Sequence, residues 1–178
     1  MWVVNYFLMS ILLLLSNNCL AANQIDSSHG WGRVNMQGSI IDTACSIAVD
    51  SREQTIDMDT TPLSEIIRNG HGQSKRFSIE LVNCVIKRVG KEDWKQFSVT
   101  FDGNTDGDLF SINGDASGIA LQIFDDYGNV VIPGKSLPAL DIAPGKDKLD
   151  FKIRVVANKD TLKSGDYFSS IRFKIDYF

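Results

Sequence analysis

Residues 167–178 read YFSSIRFKIDYF, and this stretch decides the fold. Ile171, Phe173, Ile175 and Tyr177 fall on one face, and Arg172, Lys174 and Asp176 on the other. That period of two marks a half-buried β-strand. The given sequence ends with it, at Phe178. An apolar strand at a chain end is expected to need a cover from elsewhere, which points to binding or assembly before catalysis.

Working outward, the same alternation recurs upstream. Residues 149–156 alternate cleanly and are followed by a turn at Asn158-Lys159-Asp160. Residues 118–124 form a further strand, turned by 125–129 into a short one at 130–132. Residues 94–101 and 77–84 are strands, with a charged loop or hairpin at 85–93. Near the start, Val34, Met36, Gly38 and Ile40 share one face, and Arg33, Asn35, Gln37 and Ser39 the other. This predicts a strand over about 33–45. Short strands are expected at 46–50 and 54–58 around a turn at Asp50-Ser51, then a connection at 62–72 with one helical turn at 64–68. No helical period runs beyond one or two turns. Many short strands separated by turn signals predict an all-β sandwich.

Residues 2–15 are overwhelmingly apolar, and the small residues Ala21 and Ala22 follow. The run is short for a bilayer span, so residues 1–22 read as a secretory leader in place of an uncleaved anchor. Residues 23–33 are polar and Gly-rich, which predicts a flexible arm, leaving 34–178 as one body. With the leader removed, Cys45 and Cys84 remain. In an exported chain they read as one disulfide, with two free thiols as the alternative. The net charge is −4 and the cations are scattered, so no nucleic-acid partner is expected. The DGNTDGD segment at 102–108 partly fits a calcium loop but has Asn113 where the twelfth ligand should be a bidentate Glu. No catalytic motif is present, and neither an enzyme, a metal nor a cofactor is expected.

The chain resembles the pilin subunits of the bacterial chaperone–usher pathway. Gly38 lies seven residues before Cys45, the second cysteine sits in FSIELVNC, Gly165 is fourteenth from the end and Tyr177 is penultimate. Residues 56–62, the KRFSIELVNC run and SGIALQI are similar to the minor pilins that terminate P pili. The resemblance implies an incomplete immunoglobulin-like β-sandwich lacking its last strand. It implies a periplasmic pilus chaperone that lends a strand beside Ile171, Phe173, Ile175 and Tyr177 and grips the Phe178 carboxylate, with Gly165 in the same signature. It further implies an outer-membrane usher, and neighbouring pilin subunits whose arms replace the chaperone strand. The arm of this chain would insert Val34, Met36, Gly38 and Ile40, with Gly32 further back, after export through the periplasm to the cell surface. A terminator would donate its arm and accept none. The alternatives are a major or other minor shaft pilin, or a self-sufficient secreted β-sandwich.

Overall fold

The computed structural model describes residues 33–143 and 145–178. The chain divides into two units, Met1–Ile40 and Ile41–Phe178. Of the first unit only residues 33–40 are described; they have no regular secondary structure and are exposed. The leader expected over 1–22, and all but Arg33 of the arm expected over 23–33, lie outside the described residues.

Along the second unit come β1 (Ser46–Ile47), the single turn α1 (Val49–Arg52), α2 (Leu63–Asn69), β2 (Lys75–Val82) and β3 (Gln96–Gly103). The short strands β4 (Thr105–Asp106), β5 (Leu109–Phe110) and β6 (Asn113–Gly114) follow. Then come β7 (Ile119–Asp125), β8 (Val130–Val131) and β9 (Leu140–Asp141). The chain closes with β10 (Lys148–Ala157), β11 (Tyr167–Phe168) and β12 (Ile171–Tyr177). All ladders are antiparallel. The large sheet runs β1-β2-β10-β7-β5-β4 with β8 on β7, and the small one runs β12-β3-β9. The fold is an immunoglobulin-like β-sandwich.

Alternation places the core. Phe151, Ile153 and Val155 of β10 face inward with Ile79 of β2 and Leu121 and Ile123 of β7, and meet Phe97, Val99 and Phe101 from β3. Aromatic rings tie the two sheets together: Phe101 lies edge-on to Phe151 at 5.0 Å, and Phe151 stacks on Phe77 at 5.5 Å. Such contacts add about 0.5–1.5 kcal/mol each beyond burial. The disulfide Cys45–Cys84 joins residues 39 apart in sequence at the edge of the core.

Four expectations are revised. The strand expected over about 33–45 is absent; ladder pairing starts only at Ser46, opposite Val82. Alternation alone makes no strand, because backbone N–H and C=O groups need a partner. The expected turn at Asp50-Ser51 is the helical turn α1, where the Ser51 N–H donates to Ala48 O and the Ser51 hydroxyl accepts from the Glu80 N–H. The expected strand at 54–58 is also absent. There the Gln54 side chain donates to Ser78 O at 2.9 Å, so a side chain takes the edge carbonyl a backbone ladder would use. The single helical turn expected at 64–68 extends to Leu63–Asn69, ended by Gly70 in the left-handed conformation, whose N–H donates to Ile66 O.

Candidate functional site: the groove beside the last strand

Chemistry at this site begins with the unequal burial of two paired strands. In β3 every residue from Phe97 to Phe101 is buried, on both faces. In β12 no residue is: Ile171, Phe173, Ile175 and Tyr177 are half-buried, and Arg172, Lys174 and Asp176 are exposed. Registry pairs Ile171 with Gly103, Phe173 with Phe101, Ile175 with Val99 and Tyr177 with Phe97. Among the described residues β3 is the only ladder partner of β12. One edge of β12 therefore carries N–H and C=O groups without a strand beside them, next to an apolar stripe without a lid.

The opposite wall is the segment 54–61. It has no regular secondary structure and carries no ladder among the described residues. Its Ile56 and Met58 turn inward and pack on the core, while Thr55 and Asp57 face out. Between this wall and β12 lie two clefts, of about 980 and 830 Å³, that share Gln54, Thr55, Ile56, Ile153 and Ile171. Their floor is apolar core: Leu121, Ile153 and Val155 in one, Phe77, Phe101 and Ile123 in the other. A third cleft, of about 420 Å³, lies at the Tyr177 end beside the disulfide and shares no lining residue with the other two. The result is an apolar trench with an unpaired backbone on each bank. Its complement is an extended chain with large apolar residues at alternate positions.

At the Tyr177 end the ring sits 6.0 Å from Trp94 and 6.2 Å from Phe97. Burial pushes the Tyr177 hydroxyl above its usual pKa, as it does that of Tyr167 at the other end of the trench. The Arg88 guanidinium covers Trp94 at 3.9 Å and also bonds Asp42, which Lys91 joins at 3.0 Å. The hydrogen bond from Arg88, then that from Lys91, holds the Asp42 carboxyl below its ordinary value.

Ile171, Phe173, Ile175 and Tyr177 thus lie together on one bank. Phe178 continues the ladder: its N–H donates to Gln96 O, and its carbonyl accepts from the Lys95 and Gln96 N–H groups. Gly165 stands apart from this stripe and packs on the 115–116 backbone, where a Cβ would meet Ala116 N at 2.7 Å. Its requirement is a close chain crossing. Val34, Met36, Gly38 and Ile40 belong to the other unit, where the three apolar residues are exposed by 82%, 92% and 102%; Gly32 lies outside the described residues. Two carboxylates of the 102–108 segment bind protein groups: Asp102 pairs with Arg172 and Asp106 accepts from Asn158. Sequence reading missed the second bank, 54–61. The alternation of Ile56 and Met58 is its signal, and in sequence it reads as a short strand at 54–58.

Among the described residues the sandwich leaves one apolar strand edge unpaired. Residues 34–177 match the fimbrial protein family, and the chain belongs to it. The PRS fimbrial minor pilin protein of Escherichia coli is 35% identical over 84% of this chain and 80% of its own length. The Fimbria A protein of Serratia marcescens is 29% identical over 98% of each. Among solved structures, a chaperone–usher pilus subunit superposes with a TM-score of 0.66 at 26% identity, covering 84% of this chain and 97% of that one. The P pilus rod subunit PapA shares the fold, with a TM-score of 0.64 at 22% identity over 76% of this chain and all of that one. The protein is a fimbrial subunit of the kind found in chaperone–usher pili, a component of the cell surface.

Proposed function

We propose that the trench beside β12 is an acceptor site, filled first by a strand of a periplasmic chaperone and then, at an outer-membrane usher, by the arm of a neighbouring subunit. The observation that carries this is the half-burial of Ile171, Phe173, Ile175 and Tyr177 on a strand with, among the described residues, a ladder on one edge only. Inserting three or four large side chains yields roughly 1.5–3 kcal/mol each before ordering costs, and the ladder bonds add to that. The donor segment of this chain is 32–40, with Val34, Met36 and Ile40 as the inserting residues and Gly38 letting the backbone pass close to its acceptor.

Within that scheme the minor-pilin relatives favour a subunit that ends a fibre. The test is strand exchange. A peptide copying another subunit's arm is added to the chaperone-bound protein, and release of the chaperone is followed. Release indicates a shaft subunit. Stable retention of the chaperone indicates a terminator. A protein that is a stable monomer with no chaperone at all sinks the acceptor reading.

A further inference from the structure

The chain between the arm and the first cysteine is held by contacts the trench does not use. The boundary between the two units falls after Ile40, and burial of the body begins at Ala44. Ala44 O accepts from the Val85 N–H, and Cys45 is bonded to Cys84. Core packing and the disulfide therefore anchor the chain from Ala44 onward. Ile41, Asp42 and Thr43 lie outside that anchor and are exposed. Asp42 is nonetheless fixed: its Oδ2 accepts from Arg88 Nη2 and from Lys91 Nζ.

Exposed ion pairs are usually weak, because two long side chains must be immobilised to make them. Here one of them is immobilised beforehand. The Arg88 side chain is 19% exposed, and its guanidinium lies 3.9 Å from the centre of the Trp94 ring. Trp94 packs in turn on Tyr177 at the end of β12. The 85–93 loop that carries both cations is closed by its own bonds. The Arg88 N–H donates to Asp93 Oδ1 at 3.1 Å, and the Trp94 N–H donates to Ile86 O at 3.0 Å. A stacked guanidinium on a closed loop loses little freedom when it meets a carboxylate. Asp42, by contrast, sits on a stretch with no ladder partner among the described residues. What these bonds order is the arm side of the contact, more than the loop.

We propose that Asp42, gripped by Arg88 and Lys91, is a positioning residue for the donor arm. It moves the arm's anchor out from Ala44 to Asp42 and leaves Ile41 alone between that anchor and the last inserting residue, Ile40. The inference rests on the reading of 32–40 as a donor. Without the grip the free joint would be 41–43, longer by two residues or about 7 Å of extended chain. A one-residue joint fixes the spacing of two joined bodies, and a three-residue joint leaves it loose.

The test is amide relaxation by NMR on the full chain, in complex with its chaperone if it is recovered that way. In the parent, Asp42 and Thr43 should have order parameters near about 0.85, as rigid as Cys45; in Asp42→Asn they should fall below about 0.6 while Cys45 keeps its value. Arg88→Gln should do the same, and Asp42→Glu, which keeps the carboxylate, should restore order. Should Arg88→Gln disturb the body, Cys45 will report it, and the exposed Asp42→Asn decides. In particles of two joined subunits, Asp42→Asn should lengthen or broaden the maximum dimension by up to about 7 Å in small-angle scattering, with joining itself preserved. The proposal is overturned if Asp42 and Thr43 are mobile in the parent, if Asp42→Asn leaves them ordered, or if the joined particles keep their dimensions. The donor reading fails separately: joining that survives deletion of residues 23–40 sinks it, whatever the order at Asp42.

Discussion

Residues 34–40 and 171–177 carry the same pattern, apolar and polar in strict alternation, and end in opposite states. The second is β12, with seven residues in register against β3. The first has no ladder and leaves Val34, Met36 and Ile40 in solvent. Side-chain period sets which face a strand would bury; it does not supply the neighbour whose backbone completes the ladder. β12 is an intermediate case, with its partner along one edge and apolar surface left over along the other. The arm is the extreme case. On the reading proposed above, each is what the other lacks.

The largest effect should come from removing the arm. Deleting residues 23–40 should leave chaperone binding and the thermal transition of the body in place and abolish joining to the next subunit, read as loss of the protein from purified fimbriae. Incorporation at the normal level would show that the exposed alternation of 34–40 is not a donor.

Inside the body the comparison becomes quantitative. Phe101 and Phe173 are register partners on β3 and β12, with ring centres 6.0 Å apart, but Phe101 is 2% exposed and Phe173 is half-buried. Phe101→Ala should cost about 3–5 kcal/mol by denaturant unfolding. Replacing both Cys45 and Cys84 by Ala, which opens a link spanning 39 residues, should cost about 4 kcal/mol on the chain-entropy account. Phe173→Ala should cost only about 1–2 kcal/mol in the free body, because much of that side chain is already in water. With a strand seated in the trench the same change should cost about 3–5 kcal/mol, the value for a closed core. Equal costs in the two states would mean that the trench is not where the added strand sits.

The regions legible in the sequence are those whose partners are in the same chain. β2, β7, β10 and β12 were anticipated within a few residues, as was the β7–β8 hairpin, because each is a run of period two bounded by turn residues. Residues 54–58 read in sequence as a short strand because alternation looks the same whether or not a ladder exists; only the fold shows that Gln54 spends its side chain on Ser78 O. The turn α1 reads in sequence as a plain turn because the Ser51 hydroxyl, which accepts from the Glu80 N–H 29 residues away, is invisible to local pattern. Of the site, the β12 bank was plain and its opposite bank was not. The role of Gly165 in a chain crossing needed the 115–116 backbone to be placed first.

The smallest effect belongs to Tyr177 and sharpens the comparison at its quiet end. Burial raises its pKa above the ordinary 10.0, and its hydroxyl has no hydrogen-bond partner among the described residues. The folded state then holds the phenolic proton more tightly than the unfolded chain does. Its contribution is complete below about pH 10 and is lost as pH rises through the folded value. Tyr177→Phe should change stability at neutral pH by less than about 1 kcal/mol, since an unpaired hydroxyl contributes little, and should flatten the fall in melting temperature above about pH 10; Tyr167, raised by burial in the same sense, supplies what slope remains. Seating a strand over the Tyr177 cleft would bury the ring further and steepen that alkaline loss. An unchanged slope in the strand-filled protein would place the inserted strand over the two larger clefts alone and leave the 420 Å³ one open.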